Sequence, residues 1–72
     1  MLTWDDIIEQ ALKVTRRGDT YLISPDELEA AKPAEFGKEP AVDSLDRVLL
    51  SLGLQATLRE DGLVHVDALE RP

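Results

Sequence analysis

The stretch from Asp43 to Asp67 constrains the fold more than any other, because it predicts one amphipathic helix followed directly by a β-hairpin. In its first half, apolar side chains recur at i, i+3, i+4 and i+7, which is the spacing of one helix face. These residues are Leu45, Val48, Leu49 and Leu52. Asp43 is the expected N-cap, and Gly53 supplies the glycine at which helices often end. The pattern predicts a helix with Leu49 at the centre of its buried face.

The second half of this stretch is a hairpin whose register follows from its side chains. A two-residue turn at Asp61 and Gly62 sets Leu58 opposite His65, which mixes apolar with polar side chains on one face. A three-residue loop over 60–62 shifts the pairing by one residue and sorts the two kinds of side chain. This second register predicts a positive φ at Gly62. It places Thr57 and His65 on one face and four apolar side chains toward the core: Ala56, Leu58, Val64 and Val66.

Upstream, the sequence predicts a helix and a short strand. Thr3 is the expected N-cap of a helix over 4–17, with Asp6 at N3 as a short form of the capping box. The run Thr20–Ile23 is β-branched and aromatic and lies between turn residues, which predicts a single strand. We expect the first helix to face the core through Ile8, Ala11, Leu12 and Thr15, with Trp4 one turn before Ile8.

A second helix and a long loop separate this strand from the third helix. Ser24 is the expected N-cap of a helix over 25–32, and Pro25 is its first residue. Residues 33–42 carry two prolines and a glycine and form the only extended loop. Phe36, within this loop, has two interpretations. It is either a lid folded over the core or an exposed anchor for a partner, since aromatic side chains are frequent interface hot spots.

The predicted order is helix, strand, helix, helix, strand, strand, in one small domain over 1–72 whose last residues, 68–72, are expected to fray. This is an α+β fold in which three helices pack on a small antiparallel sheet with a C-terminal hairpin. The order resembles the winged-helix branch of the helix-turn-helix proteins, with 45–52 in the place of the recognition helix and 59–63 as the wing. The resemblance covers nearly the whole chain and implies DNA binding. The loop over 33–42 departs from it, because the usual turn has three or four residues.

The charge of the chain argues against DNA as the ligand. The 72 residues carry 15 acidic and 8 basic side chains, a formal net charge of −7. Binding to a phosphate backbone requires clustered lysine and arginine instead. On the exposed side of the third helix, Asp43 and Asp46 outnumber Arg47, and the wing over 59–61 is net negative. The surface that would face DNA is therefore expected to repel it.

Carboxylates concentrate between Ser24 and Arg47, and five of them form what we call the acidic belt. Its members are Asp26, Glu29, Glu39, Asp43 and Asp46. One interpretation is a solvated face that keeps a small domain soluble. The other is a docking surface for a partner protein with a basic surface, including one that normally holds nucleic acid, because carboxylates can stand in for phosphates. Phe36 then joins the belt as a partner-binding residue.

Nothing in the sequence predicts an enzyme, a cofactor site or a metal site. His65, the only histidine, alternates with valines and is expected to be an ordinary strand residue. Ser24 and Ser44 lie at helix starts, without the motif that surrounds a nucleophile. The chain has no cysteine, which removes thiolate chemistry. No apolar run approaches the ~20 residues of a membrane span, so we expect a cytoplasmic protein with no membrane partner.

We therefore expect a non-enzymatic acidic protein-binding module that acts as a small regulator or inhibitor of a partner protein. Small acidic inhibitors encoded by phages are one setting in which such a protein would act. Two alternatives stay open. One is a structural or assembly subunit that forms a homodimer. The other is a winged-helix DNA-binding transcriptional regulator whose bases converge, namely Arg16, Arg17, Arg47 and Arg59.

Overall fold

The computed structural model describes residues 2–69 and shows three α-helices, one 3-10 helix and a three-stranded antiparallel sheet. In chain order these are α1 (Trp4–Arg16), β1 (Tyr21–Ile23), α2 (Pro25–Ala31), the 3-10 helix η1 (Ala34–Phe36), α3 (Ala41–Leu50), β2 (Leu54–Leu58) and β3 (Val64–Ala68). The predicted α+β fold and its order of elements are confirmed. None of the helices within residues 2–69 combines the length and the apolar character needed to cross a membrane.

The first two helices begin where the sequence predicts. The Thr3 hydroxyl accepts a hydrogen bond from the amide of Asp6, whose carboxylate accepts one from the amide of Thr3. Ser24 caps α2 by accepting from the amide of Glu27 at 3.2 Å. Pro25 takes the first helical position, where its missing N–H leaves no hydrogen bond unmade. These caps fix where both helices enter the fold.

The sheet has the order β1-β3-β2, so β3 lies between two edge strands. The predicted hairpin register is confirmed, since the apolar pairs are Leu58 with Val64 and Ala56 with Val66. Gly62 closes the three-residue loop at a φ of +82°, a conformation that favours glycine. Its amide donates to the carbonyl of Arg59 at 3.0 Å. The turn therefore has the geometry that the side-chain pattern requires.

The hydrophobic core lies between the helices and one face of the sheet. Every α-helix and every strand contributes to it, and its buried members are Trp4, Ile7, Ala11, Ile23, Leu28, Ala41, Leu45, Leu49, Leu54, Ala56, Val64 and Val66. Leu49 is fully buried near the end of α3, the helix that packs against β2. Phe36 and Val42 pack against the core from its margin.

The inner face of α1 differs from the expected stripe of Ile8, Ala11, Leu12 and Thr15. Its buried residues are Trp4, Ile7 and Ala11, while Ile8 and Leu12 are only partly buried. Trp4 sets this rotation, because its indole N–H donates to the carbonyl of Leu28 at 3.1 Å. Residues at i+3 and i+7 from Trp4 then share its side of the helix.

Two leucines predicted to face the core are exposed. Leu52 is 45% exposed because α3 ends at Leu50, so the helical spacing no longer applies to it. Leu58 is 54% exposed, although its partner Val64 is fully buried. Leu58 lies at the end of an edge strand, whereas Val64 has a strand on each side. Register therefore fixes the face of a side chain, and position in the sheet decides its burial.

The loop predicted over 33–42 is shorter and more regular than expected. Residues 34–36 form η1, and α3 begins at Ala41. The residue at its N-cap position is Pro40, so the prediction of Asp43 as the N-cap is wrong. The connection between α2 and α3 is thus limited to residues 32–40.

Two residues of the tail expected to fray over 68–72 make regular backbone contacts. Ala68 is the last residue of β3 and is paired in the sheet. The amide of Leu69 donates to the carbonyl of Gly53 at 2.9 Å and closes the open end of the hairpin. Residues 70–72 lie outside the described part of the chain.

Candidate protein-binding surface

α3 begins at Ala41 because a carboxylate from α2 caps it. Pro40 makes no side-chain cap, and Oε1 of Glu29 accepts a hydrogen bond from the amide of Ala41 at 2.9 Å. This hydrogen bond is the largest cause that lowers the pKa of the Glu29 carboxyl below its ordinary value, and Lys32 lowers this pKa further. The positive end of the helix dipole favours the same carboxylate. Glu29 therefore has the capping role that was expected of Asp43.

Lys32 extends this contact into a network across the α2–α3 connection. Its Nζ lies 3.3 Å from Oε2 of Glu29 and donates to the carbonyl of Glu39 at 2.8 Å. The Lys32 side chain is only 13% exposed, so most of its stem is withdrawn from water. The carboxylate of Glu39 in turn pairs with Arg47 of α3. Two belt residues, Glu29 and Glu39, are thus brought together through Lys32.

Phe36 lies on the inner side of this connection. Its ring centroid is 5.0 Å from that of Trp4, with the ring planes tilted by 33°. Aromatic pairs at this separation are attractive beyond the area they bury. Phe36 is half-buried and packs against the core, which favours the lid interpretation. A contact between Phe36 and a partner stays a prediction.

Asp46 contacts the edge of the sheet. Its Oδ1 accepts a hydrogen bond from the amide of Ala56 at 2.8 Å. Hydrogen-bonded and non-hydrogen-bonded pairs alternate along an antiparallel ladder, and the amide of Arg59 donates to the carbonyl of Leu63. Counting back from that pair, the amide of Ala56 points away from β3. Asp46 therefore satisfies an outward-facing amide of an edge strand and joins α3 to β2.

Asp26 and Asp43 are the belt residues that stay accessible. They lie in the first turns of α2 and α3, where the helix dipole favours negative charge, and both are exposed. Within residues 2–69 the structure gives neither carboxylate a hydrogen bond or an ion pair. Of the belt, these two therefore carry negative charge that a partner can reach without breaking a contact within the fold.

The hairpin turn contains a pair that the sequence analysis missed. Nε2 of His65 lies 2.8 Å from Oδ2 of Asp61, and Oδ1 of Asp61 accepts from the amide of Leu63 at 2.9 Å. The hydrogen bond from the Leu63 amide is the largest cause that lowers the pKa of the Asp61 carboxyl, and His65 lowers it further. A spacing of four residues marks side-chain pairs on a helix and not across a turn, so no signal in the sequence marked this pair. Through its contact with Asp61, His65 is part of the turn and not only of the strand.

The arrangement offers an acidic surface on α2 and α3, and the Glu29–Lys32–Glu39–Arg47 network joins the two helices. The role of Lys32 was not predicted from the sequence, where its i+3 spacing from Glu29 was the one signal of it. In the described part of the chain, no three side chains of histidine, aspartate or glutamate group in a way that could hold a metal ion. Comparison with protein-family models, curated proteins and solved structures gave no match for this chain.

Proposed function

We propose that this domain is a non-enzymatic regulator or inhibitor that binds a partner protein through the acidic surface of α2 and α3. One observation carries the proposal. Arg47 is the only base on α3, and Glu39 pairs with it, whereas Asp43 stays exposed on the same helix. The outward side of α3 is therefore acidic, and complementary charge selects a partner with exposed lysine and arginine.

The same observation disfavours DNA as the ligand. A recognition helix must bring hydrogen-bond donors to base edges and phosphates. Arg47 would have to leave Glu39 to do so. Of the other bases of the DNA-binding alternative, Arg16 and Arg17 lie at the end of α1 and Arg59 follows β2, so none of them belongs to α3.

In its more specific form, the proposal is that the partner is a cytoplasmic protein whose basic surface normally binds nucleic acid. Asp26 and Asp43 would then occupy positions that phosphates occupy in the partner's own complex. Both are carboxylates at helix starts, and neither has a contact to break within residues 2–69 before it can pair with lysine or arginine. A winged-helix arrangement of α3 and the hairpin is part of the same proposal.

Affinity capture with three matched baits tests the proposal. The baits are the native domain, the double variant Asp26→Lys with Asp43→Lys, and the control Asp5→Lys with Glu9→Lys, which changes the net charge equally on α1. Asp5, like Asp26 and Asp43, is exposed in the first turn of a helix. The unfavourable interaction of a new lysine with the helix dipole is therefore present in both double variants. We expect the native domain and the control to retain one basic partner that the first double variant loses.

Duplex DNA is titrated against the same three proteins. Binding by the native domain that weakens steeply with salt would support the DNA-binding alternative, and the added lysines of the two variants should strengthen such binding. Mass measurement across concentration addresses the homodimeric subunit, since a dimer dissociates on dilution. If all three baits retain the same proteins, the acidic belt is a solvated face and the proposal fails.

A further inference from the structure

An open groove of about 410 Å³ lies between the start of α1 and the outward side of α2. Its lining is three apolar side chains and one carboxylate: Leu2, Ala30, Ala31 and Glu27. Leu2 is 41% exposed although it is large and apolar. Ligand sites commonly have volumes of roughly 300–1,000 Å³, so a groove at the lower end of that range suits one or two side chains of a larger ligand.

Packing beneath the groove holds it in place. The indole N–H of Trp4 donates to the carbonyl of Leu28, which fixes the start of α1 against α2. Leu2 lies just before Trp4 and forms one wall. Ala30 and Ala31 carry only methyl groups, so the opposite side of the groove is recessed and a larger side chain there would fill it.

The groove borders the accessible part of the acidic belt. Ala30 lies one helical turn after Asp26, at i+4, and therefore on the same side of α2. Glu27 brings a second carboxylate to the lining. Glu27 also lies near Tyr21. Burial raises the pKa of the Tyr21 hydroxyl, and the negative charge of Glu27 raises this pKa further. An apolar recess beside two exposed carboxylates matches an aliphatic side chain that is followed by lysine or arginine.

We propose that this groove is the anchoring subsite of the partner-binding surface and takes one aliphatic side chain from a basic segment of the partner protein. Glu27 and Asp26 pair with the cationic residue beside that side chain. The inference rests on the proposed function, because it names what the partner presents to α2. Charge complementarity also separates this occupant from a second copy of the chain, since two copies at a net charge of −7 each repel one another.

Two synthetic peptides probe the groove. The first is acetyl-Arg-Arg-Leu-Arg-Arg-amide, and the second has serine in place of leucine. Each is titrated into the full chain labelled with nitrogen-15, and amide chemical shifts are followed by NMR. The leucine peptide should shift the amides of Leu2, Glu27, Ala30 and Ala31, and should bind at least threefold more tightly than the serine peptide.

A matched pair of alanine substitutions locates the subsite. Ala30→Gln fills the recess with a neutral side chain at an exposed helical position. It should weaken the leucine peptide at least threefold and leave the serine peptide unchanged. Ala34→Gln, at an exposed position of η1 that does not line the groove, should change neither. Thermal unfolding of both variants checks that the fold is retained.

Any of four results would overturn the inference. The two peptides could shift the same residues with equal affinity, the leucine peptide could shift α3 and not the groove, or it could shift nothing. The fourth result comes from the protein alone. If the chemical shifts of the groove residues change with protein concentration in the absence of peptide, the groove is a contact between copies of the chain and the inference is overturned. The proposed function fails separately, when reversal of Asp26 and Asp43 leaves partner capture unchanged.

Discussion

The β2–β3 hairpin and the α2–α3 connection each join two elements, but different kinds of contact hold them. The hairpin is closed by backbone hydrogen bonds and cross-strand pairs between residues that are near in sequence. The connection is held by side chains that reach across it, namely Glu29 to the amide of Ala41, Lys32 to the carbonyl of Glu39 and Phe36 to the ring of Trp4. Substitution of single side chains should therefore damage the connection more than the hairpin.

The largest effect is expected in α3, because this helix follows the connection and packs against β2 of the hairpin. Leu49→Ala removes a fully buried side chain from α3, and the lost burial and the remaining cavity should lower the free energy of unfolding by roughly 2–5 kcal/mol. Leu50→Ala is the matched control, because Leu50 is the next residue and is half-exposed. It should lower the free energy by less than about 1 kcal/mol. Urea unfolding measures both, and equal losses would show that the inner face of α3 is misassigned.

The second effect compares the two regions directly. Phe36→Ala removes the ring that stacks on Trp4 in the connection and should lower the free energy of unfolding by about 2 kcal/mol. Leu58→Ala removes a half-exposed side chain from the hairpin and should lower it by less than about 1 kcal/mol. If the hairpin variant is the less stable of the two in urea, the contrast between the regions is wrong.

A smaller effect of opposite sign is expected at Ser44, on the buried side of α3. Its hydroxyl oxygen is buried without a hydrogen-bond partner among residues 2–69. Ser44→Ala removes this oxygen and introduces a better helix former, so it should raise the free energy of unfolding by about 1 kcal/mol. Ser51→Ala is the control, because the exposed Ser51 hydroxyl donates to the carbonyl of Val48. A loss of stability in Ser44→Ala would show that the hydroxyl has a partner in solution.

The smallest effect concerns pH. Glu29 in the connection and Asp61 in the hairpin both have a lowered folded-state pKa, chiefly because the amides of Ala41 and Leu63 donate to them. Each carboxylate therefore stabilises the protein above its unfolded-state pKa, and this stabilisation is lost as the pH falls through the folded-state pKa. The free energy of unfolding should therefore decrease as the pH falls below about 5. Glu29→Gln and Asp61→Asn should each make that decrease shallower.

NMR titration assigns this pH dependence to residues. The amide of Ala41 should shift as Glu29 titrates, and the shift should vanish in Glu29→Gln. Leu63 should behave in the same way toward Asp61. An Ala41 amide that does not respond to pH in the native protein would contradict the cap on α3.

The hairpin was predictable because its information is local. The alternation of apolar residues from Ala56 to Val66 and the glycine at 62 set the register and the loop length. The exposure of Leu58 was not predictable in the same way, because it depends on the position of β2 at the edge of the sheet. Alternation distinguishes the two faces of a strand and says nothing about its edges.

The connection was not predictable, because its contacts join different elements. The cap on α3 comes from Glu29, which lies 12 residues before Ala41. Asp43, in contrast, satisfied the local rule for an N-cap and still proved wrong. The charges of the belt could be read from composition, but their division into engaged and accessible carboxylates depends on the packing of α2 against α3.

The association rate with the captured partner tests the acidic docking surface most directly. It is measured at about 0.05 M and about 0.5 M salt, because added salt shortens the range over which exposed charges act. Reversal of Asp26 and Asp43 should slow association on the order of tenfold at low salt, with little change in dissociation. The difference should shrink at high salt, and reversal of Asp5 and Glu9 should have a much smaller effect. Equal slowing by both pairs would contradict a defined surface on α2 and α3 and would indicate general charge attraction.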